Sequence, residues 1–248
     1  MIRKKPGLLL LPNLLDEEGA AEAFLPASIF QAVPLIDGLI AESEKGARKF
    51  LKRFVFPAPK TFRDVPIALL NEHTTDKELD SLLFPLVKGE CWGVVSDCGL
   101  PCLADPGAKL VQNARQLGIE MEAFVGPSAI IMALLLSGFS GQSFAFHGYL
   151  EREASKLKGQ IQLLEKRAQQ ERATQIFIET PYRNQKLLEH LLAVLQDKTL
   201  LCFACDLTMP SQEVIVKTVA AWKKANHPFL DKRPAVFLLA AKDIRDNI

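Results

Sequence analysis

The first half of the chain alternates short apolar runs with longer segments of helical periodicity. The predicted strands are Leu8–Leu11, Leu35–Ala41, Ala68–Leu70, Cys91–Ser96 and Met121–Val125. The predicted helices between them include Lys45–Phe54, Asp76–Lys88 and Ala108–Leu117. Strands separated by segments of helix length are typical of parallel βα units. The pattern therefore predicts an α/β fold in this half.

The second half has fewer strand signals and longer helical segments. Its predicted strands are Phe144–Phe146, Thr174–Ile178, Leu200–Ala204 and Ala235–Leu239, and its long helices are Glu153–Arg172 and Asn184–Gln196. We place a domain boundary after Val125, which divides the chain into residues 1–125 and 126–248. Because no linker rich in Gly and Ser separates the halves, we expect two closely apposed domains.

Composition limits the class of protein. The chain has 248 residues, 48% of them hydrophobic and 24% charged, with a formal net charge of +1. These fractions are typical of a globular protein, and no global field attracts nucleic acid, so any RNA contact must come from local patches. No apolar run approaches the ~20 residues that a membrane span requires. We expect a cytoplasmic protein without membrane contact.

The N-terminal segment has some features of a secretory leader, because Arg3, Lys4 and Lys5 precede the apolar run Leu8–Leu11. Pro12 interrupts the run, and acidic residues follow where a leader has a cleavage site of small residues. The segment is better interpreted as a first buried strand.

The cysteines are odd in number and irregularly spaced, which does not indicate a disulfide framework. Cys202 and Cys205 have the spacing of a zinc-binding pair, but they lie in a strand-like run, where residues three apart point to opposite faces. No second pair completes a zinc site. Buried, reduced thiols and no metal are the expected state.

Two loops at predicted strand ends concentrate Asp, Gly and Pro. Ser96–Gly107 follows the apolar run Cys91–Val95, and Gly126–Ala129 opens the apolar segment Ile130–Leu136. Ligands of open α/β sheets bind outside the carboxyl ends of strands, so the loops predict one small-molecule site. Ordinary turn formation and a capped core helix are the alternative explanations. No GxGxxG or Walker motif supports a nicotinamide or nucleoside triphosphate ligand.

Both loops carry a resemblance to a known family. Ser96–Gly107 resembles the S-D-A-G-T-P-x-x-x-D-P-G loop of the tetrapyrrole methylase superfamily, and the second loop resembles its P-G-P-x-A-x-x-x-A-L-x-x-S-G segment. Ile40–Lys49, Leu70–His73, Ile178–Arg183 and Asp206–Thr208 resemble further family motifs in the same order. The most similar branch methylates a cytidine ribose 2′-hydroxyl in small-subunit ribosomal RNA.

The resemblance implies a two-domain fold, with a mainly parallel sheet in the first domain, a mixed sheet in the second and S-adenosylmethionine in the cleft between them. It also implies a homodimer without a metal. The implied cofactor-binding residues are Pro12, Ser96, Asp97, Gly99, Leu100, Pro101, Asp105, Gly126, Pro127, Ser128 and Ala129.

The resemblance further implies a set of residues on the substrate side. They are Lys45, Arg48, Glu179, Arg183, Asp206, Thr208 and Glu213. A ribose hydroxyl must lose its proton during methyl transfer, which favours a nearby base. Glu42 and Asp97 are the leading candidates for that catalytic role.

Two clusters of basic residues are candidates for RNA contact. Lys45, Arg48, Lys49, Lys52 and Arg53 form one stripe on a predicted helix, which is either an RNA-phosphate contact or a solvated face. Arg152, Lys156, Lys158, Lys166 and Arg167 are mixed with Glu, which is typical of an ordinary surface helix.

The chain departs from the family pattern at several positions. The N-terminal loop is Leu11-Pro12-Asn13-Leu14-Leu15 where the family has T-P-I-G-N, and Cys205 and Met209 stand where Arg and Lys are usual. The loss of these positive charges would weaken the binding of a polyanionic substrate more than that of other substrates. We expect a methyltransferase that uses S-adenosylmethionine, with an RNA ribose 2′-hydroxyl, on ribosomal RNA or the ribosomal subunit, as the leading acceptor. The alternatives are a methyltransferase that acts on a tetrapyrrole or another small acceptor, and a protein that binds S-adenosylmethionine without catalytic activity.

Overall fold

The computed structural model describes residues 7–225, 230 and 232–241. Its contacts divide the chain into two compact units, Met1–Ser128 and Ala129–Ile248. The domain boundary after Val125 stays a prediction. Arg3, Lys4 and Lys5 lie outside the described residues.

The first unit is built on a five-stranded parallel sheet in the order β3-β2-β4-β1-β5. Its strands are β1 (Leu8–Leu10), β2 (Gly38–Ala41), β3 (Ile67–Leu69), β4 (Trp92–Val95) and β5 (Met121–Ala123). Every residue of β2 and β4 is buried, as expected for central strands of a parallel sheet. Ala41 pairs with Val95, so these two strands end at the same level.

Helices cover this sheet and bury their apolar stripes against it. They are α1 (Ala21–Phe24), α2 (Ala27–Ala32), α3 (Glu44–Leu51), α4 (Asp76–Val87) and α5 (Gly107–Gln116). Helix α3 begins after Ser43, whose side chain accepts a hydrogen bond from the Gly46 amide at 3.0 Å. Phe50 and Leu51 of α3 are fully buried in the core of the unit.

The second unit has a mixed sheet in the order β6-β7-β10-β8-β9. Its strands are β6 (Phe144–Tyr149), β7 (Thr174–Ile178), β8 (Leu200–Cys205), β9 (Glu213–Thr218) and β10 (Ala235–Ala240). Strands β6 and β7 are parallel, and the remaining pairings are antiparallel. The predicted fold class, with one mainly parallel and one mixed sheet, is confirmed.

The helices of the second unit are α6 (Ala129–Ser137), α7 (Ala154–Gln170), α8 (Asn184–Val194) and α9 (Val219–Lys224). Trp222 of α9 is fully buried, and its indole N–H donates to the carbonyl of Leu201 at 2.9 Å. In the described part of the chain, no helix combines the length and apolar character that crossing a membrane requires.

Cys202 and Cys205 are both buried on β8, which lies between β10 and β9 in this sheet. Burial, reinforced by the neighbouring Asp206, raises the pKa of the Cys205 thiol to about 12, which disfavours the thiolate that a metal would need. The described residues contain no group of three or more His, Cys, Asp or Glu side chains placed to hold a metal ion.

Candidate active site

The candidate site of the first unit begins where β2 and β4 end. Glu42 directly follows β2, and Ser96 and Asp97 directly follow β4. An oxygen of the Glu42 carboxylate accepts a hydrogen bond from the Asp97 amide at 3.0 Å. The Ser96 hydroxyl donates to the carbonyl of Cys98 at 2.9 Å, which fixes the first turn of the loop. The topology thus joins two residues that lie 55 positions apart.

Asn13 connects the N-terminal loop to this strand-end loop, a role that the sequence did not indicate. Its side chain is buried, and its amide donates to the carbonyls of Ser96 and Asp97 at 3.0 and 2.9 Å. Its backbone N–H donates to the carbonyl of Gly99 at 2.8 Å. Its side-chain oxygen accepts from Leu14 and Arg53. The hydrogen-bonding capacity of Asn13 is therefore used to hold the two loops together.

The glycines of the predicted cofactor loops stand where side chains do not fit. A Cβ at Gly126 would lie 2.1 Å from the Cβ of Pro12, and Leu100 is also within contact distance. Gly99 has a φ of +72°, in the left-handed region that favours glycine, and lies beside the carbonyl of Pro127. The fold thus brings Pro12, Gly99, Leu100, Gly126 and Pro127 together.

Asp97 lies close to the start of α3. A Cβ at Gly46 would stand 2.6 Å from an oxygen of the Asp97 carboxylate, so the absence of a side chain there leaves room for it. Asp97 itself is exposed. Its carboxylate can therefore contact a ligand, which its position at the strand end also favours.

Asp105 organises the second part of the loop. Its two oxygens accept hydrogen bonds from the amides of Cys102 and Gly107, both at 2.7 Å. Cys102 and Ala104 have φ values of +69° and +63°, which are costly for residues with a Cβ. Asp105 thus stabilises the turn by hydrogen bonds, as the alternative explanation of the loop by ordinary turn formation proposes. The turn belongs to a strained loop at the candidate site.

The site is electrostatically negative. Burial raises the pKa of Glu42, and repulsion from Asp97 and Asp105 raises it further, while the hydrogen bond from the Asp97 amide opposes the shift. A recess beside these groups is lined by Glu42, Ser96, Pro101 and Asp105 together with apolar residues of β2 and β4. Ser128 is buried, and Ala129 is the first residue of α6. The negative charge of Glu42, Asp97 and Asp105 favours a cationic ligand at this site.

Arg233, which the sequence did not single out, organises two predicted substrate-side residues of the second unit. Its guanidinium donates to Asp206 at 2.8 Å and to Glu213 at 2.9 Å. Burial alone would lower the pKa of Arg233, but the hydrogen bonds with Glu213 and Asp206 outweigh it and raise this pKa. The two carboxylates are thus parts of one ion-pair network.

Thr208 stands apart from this network. It has a φ of +75°, and its side-chain oxygen is buried without a hydrogen-bond partner among the described residues. A buried hydroxyl in strained backbone is a group that a ligand can satisfy.

The predicted basic stripe on α3 is largely engaged with the first unit itself. The Arg48 guanidinium donates to the carbonyls of Phe62, Arg63 and Val65 at 2.9–3.2 Å. Lys49 pairs with Glu17 and Glu18, and Arg53 donates to Asn13 and to the carbonyl of Glu17. Lys45 and Lys52 are exposed. The geometry favours a role in anchoring loops for Arg48, Lys49 and Arg53.

Comparison with known sequences identifies the family. The sequence model for tetrapyrrole (corrin/porphyrin) methylases matches residues 31–222, most of the chain. The chain belongs to the tetrapyrrole methylase family. The family resemblance inferred from the loop motifs is thereby confirmed.

Several family relatives share one name, ribosomal RNA small subunit methyltransferase I. The relative from Thermotoga maritima is 29% identical over 178 residues, which cover 72% of this chain and 74% of the relative. The relative from Xylella fastidiosa is 30% identical over 209 residues, or 84% and 72% of the two chains. The relative from Leptospira borgpetersenii is 36% identical over 148 residues, which cover 58% of this chain and 56% of the relative. This chain therefore matches less than two thirds of that relative's length.

Two solved structures with a similar fold are named as methyltransferases. The methyltransferase CobJ matches with a TM-score of 0.62 at 15% identity, covering 96% of this chain and 95% of that one. Uroporphyrin-III-C-methyltransferase from Thermus thermophilus matches with a TM-score of 0.53 at 16% identity, covering 96% and 93%. At these identities the likeness shows the fold alone.

Proposed function

We propose that this protein is a methyltransferase that uses S-adenosylmethionine to methylate the ribose 2′-hydroxyl of an RNA, with small-subunit ribosomal RNA as the leading substrate. The observation that carries the proposal is the site at the ends of β2 and β4, where Glu42 lies near Asp97 and Asp105 of the glycine-containing loop Ser96–Gly107, in a member of the tetrapyrrole methylase family. The relatives named ribosomal RNA small subunit methyltransferase I support the choice of substrate.

The residues of this site fit the proposed cofactor. When bound, S-adenosylmethionine supplies a methyl group from a positively charged sulfur. The carboxylates of Glu42 and Asp97 favour a positive charge, because opposite charges at short range attract strongly in a partly desolvated site. Gly99 and Gly126 allow their loops to pack closely against Leu15, Pro12 and Pro127, which holds the loops of the proposed cofactor site in place.

Glu42 is the candidate proton acceptor in the proposed reaction. Its raised pKa makes it a stronger base than an ordinary carboxylate, and general bases work best when their pKa approaches the working pH. The hydrogen bond from the Asp97 amide holds one carboxylate oxygen in place and leaves the other for a substrate hydroxyl. The loops that Asn13 joins then fix the alignment that an in-line displacement requires.

The experiment that tests cofactor binding is calorimetric titration with S-adenosylmethionine and its demethylated product. Asp97→Asn retains the side-chain shape but removes the charge, so affinity for S-adenosylmethionine is expected to fall about 10-fold, equivalent to about 1.4 kcal/mol. Asp80→Asn, an exposed position on α4, is the matched control and should leave affinity unchanged. Failure of the unmodified protein to bind either ligand would exclude the proposed activity.

We further propose a cytoplasmic homodimer. The cytoplasmic location is supported by membership of the tetrapyrrole methylase family and by the ribosomal RNA that appears in the names of the relatives. Exposed apolar side chains on α6, Leu135 at 74% and Leu136 at 47%, supply material for a subunit interface. Sedimentation equilibrium should give twice the chain mass, and a monomer at micromolar concentration would contradict the dimer.

A further inference from the structure

The second unit contains a cavity of about 410 Å³ whose polar lining is entirely basic. Arg152, Arg183, Lys186 and His190 line it, and Leu157 and Leu187 complete its apolar part. None of the lining residues carries a carboxylate. We call this cavity the basic pocket.

The fold assembles the basic pocket from separate segments. Arg152 lies between β6 and α7, and Arg183 ends the short 3-10 turn Pro181–Arg183 that precedes α8. Lys186 and His190 are four residues apart on α8, so they share one face of the helix. The grouping of Arg152 with Arg183, Lys186 and His190 could not be predicted from the sequence, because these three residues lie more than 30 positions further along the chain.

A buried carboxylate orients Arg183 and offsets part of its charge. Glu179 is only 3% exposed, and one of its oxygens lies 3.2 Å from a terminal nitrogen of Arg183. The other oxygen accepts from the Thr180 amide at 2.7 Å. Arg183 has five N–H donors, so most of them stay available to a ligand. The next carboxylate along the chain from Arg152, Glu153, pairs with Lys156 at 3.0 Å.

We propose that the basic pocket binds the phosphodiester backbone of the RNA substrate. This inference rests on the proposed function and specifies where the second unit contacts the RNA. Arginine donors in a fixed orientation suit phosphate oxygens, and phosphate contacts position a nucleic acid without reading its sequence. Tyr182, next to Arg183, is 76% exposed and offers a surface on which an unpaired base can stack. With a net charge of only +1, the protein needs such a local patch to hold RNA.

Fluorescence anisotropy with a labelled single-stranded fragment of small-subunit ribosomal RNA tests this assignment. Arg152→Glu combined with Lys186→Glu reverses two exposed charges of the basic pocket without touching its apolar floor. We expect RNA affinity to fall at least about 10-fold and the salt slope to decrease by about 1.4, since each contact to a single strand contributes about 0.7. The matched control is Lys166→Glu combined with Lys198→Glu, two exposed positions outside the pocket with the same change in net charge. It should bind RNA within about twofold of the unmodified protein.

The possible results separate this inference from the proposed function. Calorimetry with S-adenosylmethionine should give equal affinity for the unmodified protein and both double variants, which shows that they are folded. If the unmodified protein binds and methylates RNA but the pocket variant binds RNA as well as the control does, the inference is wrong and the proposed function stands. If the unmodified protein binds S-adenosylmethionine but no RNA at low salt, both the pocket assignment and the RNA substrate are overturned.

Discussion

Single residues decide how the candidate site is held together, and Asn13 shows why sequence alone could not identify all of them. Its buried amide donates to two carbonyls that lie more than 80 positions away, so nothing in its own neighbourhood indicates the role. The role of Arg233 could not be predicted for the same reason, because its carboxylate partners Asp206 and Glu213 are at least 20 positions away in the sequence. Glu42 and Asp97, by contrast, follow directly from apolar runs that predict buried strands, and the structure joins them by a hydrogen bond.

Glu42 gives a prediction about pH at the scale of one side chain. Its folded-state pKa is raised above the ordinary value of 4.5, so its favourable contribution to stability is complete below that value and is lost as the pH rises through the raised pKa. Glu42→Gln removes this loss of stability at high pH and keeps an oxygen that can accept the hydrogen bond from the Asp97 amide. The variant should therefore melt at a higher temperature than the unmodified protein at pH 7 and lose that advantage below about pH 4.5.

The same substitution should lower the rate of methyl transfer about 10²–10⁴-fold, the usual contribution of a general base. Glu122→Gln, at an exposed position on β5, controls for the loss of one carboxylate. Thermal unfolding at both pH values and initial rates measure the two effects. A lower melting temperature at pH 7 would contradict the burial argument, and an unchanged rate would remove Glu42 from the proposed mechanism.

Secondary-structure elements were predicted best where their residues are buried on every side. The predicted range Thr174–Ile178 agrees with β7, which lies inside the sheet between β6 and β10 and whose first four residues are buried. The apolar pattern does not predict strand β9, since this strand lies at the sheet edge and all six of its residues are only partly buried. Nor does the pattern predict the short helices α1, α2 and α9, because at four to six residues they are too short to show a helical period.

At the scale of elements, two glycines give a matched pair of predictions. Gly126→Ala places a Cβ 2.1 Å from the Pro12 Cβ, so one of the two loops must move, and unfolding free energy should fall by about 1–3 kcal/mol. Gly159→Ala, within α7, meets nothing within 4 Å and should raise stability by up to about 1 kcal/mol. Urea denaturation measures both changes. Equal stability of the two variants would mean that the Pro12 and Gly126 loops are not packed as described.

At the scale of the whole molecule, the first unit carries the strand-end site and the second carries the basic pocket. The family and the mixed sheet of the second unit could be predicted from the resemblance of the loop motifs, and the parallel sheet of the first unit from the alternation of apolar runs. The placement of basic residues could not, since Arg48, Lys49 and Arg53 are engaged in anchoring loops while Arg152 joins residues of α8. Charge patterning along the sequence does not distinguish these uses, because each depends on tertiary partners.

Methyl transfer from S-adenosylmethionine to an RNA ribose can be measured directly. Small ribosomal subunits, and RNA extracted from them, would be isolated from cells that lack this protein and incubated with it and S-adenosylmethionine labelled on the methyl group. We predict that label enters the RNA and survives in dinucleotides after alkaline hydrolysis, since a 2′-O-methyl group blocks cleavage of the adjacent phosphodiester. Label in a tetrapyrrole acceptor but not in RNA, or binding of S-adenosylmethionine with no transfer to either, would contradict the proposed function.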